Sequence, residues 1–153
     1  MISFLEVIYF IILSVSIILF VAYIYTLIRK PSGFKYFSFA AVLLIINIFV
    51  GNKISDLIII EIDSEINNSD KILFIDNDKN QILISKNSSE LNICTSTQKH
   101  SEKENGNSLL ILPKNINIIL KEDSKTKNRF WVKYRKYYFS TITAVGYLQL
   151  KFK

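Results

Sequence analysis

The stretch VIYFIILSVSIILFVAYIYTLIRKPSGFKYFSFAAVLLIINIFV, residues 7 to 50, holds two apolar runs, Val7 to Ile28 and Tyr36 to Val50, either side of the basic connection Arg29 to Lys35. As a helix the first run, of about 22 residues, measures ~33 Å at ~1.5 Å per residue, enough to cross a hydrocarbon core of ~30 Å. It carries no charge. Its polar groups are Ser14, Ser16, Thr26, Tyr9, Tyr23 and Tyr25, and a hydroxyl in a helix returns its hydrogen bond to the backbone one turn earlier. The second run, about 15 residues or ~22 Å, spans when Phe34 and the residues from Gly51 extend it, with Lys35 and Lys53 snorkelling to the headgroups. The reading is a transmembrane helical hairpin over residues 1–53, with spans at about 7–28 and 34–51.

Three features keep the first run from reading as a cleaved signal peptide. Met1 to Glu6 has no basic side chain, the apolar stretch exceeds the usual ~7–15 residues, and Arg29-Lys30-Pro31 stands where a cleavage site would fall. Basic residues collect on the cytoplasmic side of a membrane. Arg29, Lys30 and Lys35 therefore place the hairpin tip in the cytoplasm, and both termini on the other face of an inner membrane. Pro31, Ser32 and Gly33 are turn formers, which makes the two helices antiparallel neighbours. Ser14, Ala22, Ser38, Ala40 and Ala41 are small enough to let them approach. Asn47 is an amide within the second span, read as an interhelical hydrogen bond or an interface-level residue.

From Ile54 onward, short apolar stretches alternate with clusters of Asn, Asp, Ser and Lys, the pattern of strands and turns. Strands are expected around Ile58 to Asp63, at Lys71 to Asp76 and Gln81 to Ser85 about the turn Asn77 to Asn80, and at Leu91 to Thr95. The polar segment Ser96 to Asn107 reads as a long loop. Further strands follow at Ser108 to Leu112 and Ile116 to Leu120 about Pro113-Lys114-Asn115. Arg129 to Arg135 and Tyr138 to Leu150 are aromatic and β-branched, and are expected to be the longest. Roughly seven or eight strands in about 100 residues predict a membrane-anchored all-β protein, with residues 54–153 forming a small antiparallel β sandwich or partly open barrel.

Composition bounds the chemistry. Of the formal net charge of +6, three basic residues belong to the hairpin tip, so the β domain is only mildly basic and nucleic acid is not an expected partner. The single cysteine, Cys94, excludes an intrachain disulfide. It reads as a buried structural thiol, with an intermolecular bridge or a reactive nucleophile as alternatives. His100, the single histidine, sits in a polar segment six residues further on, where nothing positions it against Cys94. No ligand spacing suggests zinc. Asp76-Asn77-Asp78-Lys79-Asn80 resembles the start of a calcium loop but lacks the central glycine and closing glutamate, so it reads as a hairpin turn. No cofactor and no enzymatic activity are expected.

One segment offers a surface. Lys127, Arg129, Trp131, Lys133, Arg135 and Tyr137 fall on one strand face if the alternation holds, with Phe130, Val132 and Tyr134 opposite. Cations around a tryptophan suit an acidic protein, an anionic lipid or a glycan; charges on a strand also simply protect an edge. Two functions fit: a module that binds and occludes another protein, of the toxin or bacteriocin immunity or exclusion type, or an accessory subunit of an envelope channel, transporter or secretion assembly.

Overall fold

A long apolar run without Pro or charge can satisfy all its backbone groups within one helix, and the N-terminal part of the fold is two long helices, α1 (Ile2–Arg29) and α2 (Phe34–Asn67). The computed structural model describes residues 1–29, 34–84, 92–94 and 102–150. By Cα proximity the chain divides into two units, Met1–Ile54 and Ser55–Lys153. In the first, the hydroxyls of Ser14, Ser16 and Thr26 donate to the carbonyls of Phe10, Ile12 and Tyr23 at 2.8, 2.7 and 2.9 Å, which removes their need for water. Tyr23 stacks at a tilt on Phe37, ring centroids 5.2 Å apart. Ser16, Ala40 and Asn47 are buried, while Ser14 and Ser38 are exposed. Both helices are long and apolar enough to cross a membrane.

In the second unit the expected first strand does not exist, because residues 55–67 continue α2. Ile58, Ile60 and Ile62 alternate as a strand would, but Ile58, Ile62 and Ile66 also recur at the helical spacing, and no breaker intervenes before Asn67-Asn68. The helical period wins: Ile58, Ile59, Ile62 and Ile66 are buried, while Ile60 is 62% exposed. The helix ends where Ser69 donates from its hydroxyl to the Ile66 carbonyl at 2.6 Å.

Among the described residues seven antiparallel strands follow: β1 (Lys71–Ile75), β2 (Gln81–Ile84), β3 (Asn92–Cys94), β4 (Glu102–Leu112), β5 (Ile116–Asp123), β6 (Arg129–Tyr134) and β7 (Gly146–Gln149). They form one sheet in the order β2-β1-β4-β5-β6-β7-β3. The antiparallel sheet is as the sequence predicts; the sandwich or barrel is not. The sheet is open, and a helix takes the place of a second sheet. Its inner face carries Ile72, Phe74, Leu109, Ile111, Ile118, Leu120, Phe130, Val132 and Leu148, all buried and aligned across strands by the register. The end of α2 is fastened to the sheet domain: Glu61 accepts from Lys136 and Tyr137 and Glu65 from Lys114, while Ile58, Ile62 and Ile66 of the same segment are buried.

Two further expectations give way. Residues 102–107, read as loop, open β4, the longest of the described strands; the charges of Lys103 and Glu102 are matched across strands, on Glu122 at 3.1 Å and Lys133 at 2.9 Å. The long strand expected at Tyr138 to Leu150 is broken into the short helix α3 (Tyr138–Ile142) and β7. There the Ser140 hydroxyl accepts the Tyr134 N–H at 2.7 Å and the Thr141 hydroxyl donates to the Tyr138 carbonyl. These local bonds hold a helical turn in a sequence whose propensity favours a strand.

Candidate functional site

β6 lies inside the sheet, between β5 and β7, so it is not an edge strand. Arg129, Trp131 and Lys133 alternate with Phe130, Val132 and Tyr134 and share the outer face. Across that face Trp131 stands between Lys121 and Tyr147 and meets the Tyr147 ring edge-on, centroids 6.3 Å apart. The Arg129 guanidinium lies 4.4 Å from the centre of the same ring, a cation–π arrangement. Trp131 is only 2% exposed, so its indole is not itself a contact surface. Its Nε1 and the Nε of Arg129 are buried with no hydrogen-bond partner among the described residues. Lys133 is half-buried on Glu102.

The ends of the expected stripe depart from it. Lys127 lies exposed in the turn before β6, held there because its carbonyl accepts from the Gln149 amide at 3.3 Å. Asp123, 1% exposed, fixes that turn by accepting the N–H groups of Lys125 and Thr126 at 2.8 and 3.1 Å. Arg135 is exposed in the turn after β6. Tyr137 is buried and turns away from the stripe, donating its hydroxyl to Glu61 on α2.

That bond belongs to a second cluster, which the sequence reading missed. Glu61 accepts from both Lys136 and Tyr137, and one turn along the helix Glu65 accepts from Lys114 at 2.7 Å. Partial burial pushes the Glu61 carboxyl up, but the bonds from Lys136 and Tyr137 and the Lys136 charge outweigh it and hold the group below its ordinary value. Lys136 is raised, chiefly by its bond to Glu61. Tyr137 is pushed up to about 12 by burial and by the same carboxylate. The cluster clasps α2 to the sheet. Its sequence signal, carboxylates four residues apart beside an Ile face, is visible only once the segment is read as helix.

The other candidates are resolved locally. In the turn 76–80, the Asp76 carboxylate accepts the Asn77 N–H at 2.8 Å, and the Asn107 side chain reaches the same N–H at 3.2 Å. It is a hairpin turn, as expected. No group of three or more metal-ligating side chains occurs among the described residues. Cys94 lies on β3 opposite Tyr147; His100 lies outside the described residues. Comparison with family models, curated proteins and solved structures gives no match to this chain.

Proposed function

We propose that the protein is a membrane-anchored binding module, not an enzyme, whose sheet domain seizes an acidic surface on another protein and occludes it, in the manner of toxin immunity or exclusion proteins. The observation that supports this is the make-up of the outer sheet face. Arg129, Lys121 and Lys133 stand with the Tyr147 ring beside half-buried Leu73, Ile75, Leu110 and Ile119, with exposed Lys127 and Arg135 at either end. Arginine and tyrosine around partly covered aliphatic side chains are the composition of binding surfaces rather than of a solvated sheet face. Two helices long and apolar enough to span a bilayer hold the domain at the membrane, and the basic tip residues Arg29, Lys30 and Lys35 put the domain on the extracytoplasmic side.

The test is affinity purification of the full chain from native membranes, beside the double variant Lys127→Glu, Arg135→Glu. Both positions are exposed, so the fold is kept. Loss of the co-purifying protein by roughly tenfold or more is expected from reversing charges that meet opposite ones. A partner retained by the variant sinks the occluding reading, and a partner retained by residues 1–54 alone makes the chain an accessory subunit. In the same cells, with Cys94→Ser and a new cysteine at exposed position 127 (Lys127→Cys), a membrane-impermeant thiol reagent applied before lysis should label residue 127; labelling only after lysis would reverse the orientation.

A further inference from the structure

The sheet has two edges, and β2 is one of them. Its backbone geometry can be followed from the turn. Asp76 donates its N–H to the Asn80 carbonyl at 3.0 Å, and Lys79, with φ of 61°, donates to the Asp76 carbonyl at 2.8 Å. Hydrogen-bonded and non-bonded pairs alternate along an antiparallel ladder. With Asp76 and Asn80 bonded, Phe74–Ile82 and Ile72–Ile84 are the next bonded pairs in the register. The N–H and C=O groups of Gln81 and Leu83 therefore point away from β1, with no bonded strand on that side among the described residues.

Natural edges are shielded by charge, proline, bulges or a covering segment. β2 has no charged residue and no proline, and its pairing with β1 is regular. Ile82 is 45% exposed and Leu83 63% exposed. We propose that β2 is a self-association edge, on which β2 of a second copy of this chain adds antiparallel about a two-fold axis through Ile82. In that register Gln81 lies opposite Leu83 of the second copy and Leu83 opposite its Gln81, so each outward N–H meets an outward C=O. Two-fold pairs one residue to either side bring a turn residue, or a residue beyond the strand, into the bonded positions. Identical strands thus satisfy each other within the strand itself, which is what an isologous contact requires. On the inner face the two Ile82 side chains meet at the axis.

Strands this short bury little, and the pairing rests on the membrane reading to the extent that a shared bilayer concentrates the copies. The experiment uses the full chain with Cys94→Ser, reconstituted in phosphatidylcholine vesicles, carrying either Ile82→Cys or Leu83→Cys and exposed to a mild oxidant. The two copies of residue 82 oppose each other at a non-bonded pair, within disulfide reach, whereas the two copies of residue 83 are offset along the strand. Ile82→Cys should form disulfide-linked dimer about tenfold faster than Leu83→Cys. Adding Leu83→Pro, which removes an outward N–H at an edge position that tolerates proline, should suppress it. No dimer, equal rates, or indifference to the proline overturns the pairing. Flotation of the vesicles reads the anchor separately: a chain that floats without cross-linking refutes the pairing alone, and one that cross-links without floating refutes the membrane reading alone.

Discussion

Glu61 joins α2 to the turn after β6 through two polar contacts. It receives the Lys136 ammonium and the Tyr137 hydroxyl, one half-exposed and one buried, so replacing it by Gln keeps its shape and leaves Tyr137 with a weaker acceptor. The expected cost is about 1–2 kcal/mol, read by urea unfolding of residues 55–153. The pH dependence carries the sign of the shift. Glu61 is held below its ordinary value, so its stabilisation is present above the unfolded value, about 4.3, and is lost as pH falls through the folded one. Lys136 and Tyr137 are raised, so theirs is present below about 10 and lost as pH rises further. The gap between wild type and Glu61→Gln should be widest across the neutral range and narrow below pH about 4; a gap that persists there would mean that the charge is not what stabilises. Within the stripe read from the sequence, Arg129, Trp131 and Lys133 share a face because strand alternation is a local property. Tyr137 left it because the strand stops at Tyr134 and a partner 76 residues earlier in the chain claims its hydroxyl. No local pattern encodes such a partner.

At the scale of elements, the decisive ambiguity was the run Leu57 to Ile62, where strand and helix periods coincide over one turn. Substitution separates them physically. Ile62→Ala should cost about 2–4 kcal/mol, since it empties a buried position, whereas Ile60→Ala should cost under about 0.5 kcal/mol, because that side chain is exposed. Equal losses in urea unfolding of residues 55–153 would restore the strand. The hairpin of β1 and β2 was legible because its turn chemistry is local: Asp76 caps the turn, and Lys79 takes the left-handed position. The pair β4 and β5 was legible about Asn115, also left-handed, but only in its apolar half. Glu102 and Lys103 read as loop because their partners Lys133 and Glu122 are brought beside them by the sheet.

At the scale of the whole molecule, the antiparallel pairing followed from turn spacing, while the layer arrangement did not. Both sheet faces carry aliphatic residues, Leu73, Ile75, Leu110 and Ile119 on the outer one. Two apolar faces argue for a second sheet when no helix has been recognised to cover one of them. The strand order also bears on the covalent chain. β2 and β3 follow each other in sequence yet form opposite edges of the sheet. Laid flat, six strand spacings of ~4.8 Å part the two strand axes by about 29 Å, and the register sets Asn92 about seven residues, ~23 Å, further along the sheet than Ile84; that is about 37 Å, whereas the eight steps from Ile84 to Asn92 reach about 29 Å at most. Whatever path the intervening residues take, the peptide chain is a tether of fixed length between the two rims, and it limits how far the sheet can flatten. Deleting three of residues 85–91 shortens that reach to about 18 Å and should free β3, seen as faster amide exchange at Tyr147 and Leu148; inserting three glycines should leave exchange there unchanged. Length at this connection is thereby a mechanical property of the fold, one that insertions can relax and deletions cannot.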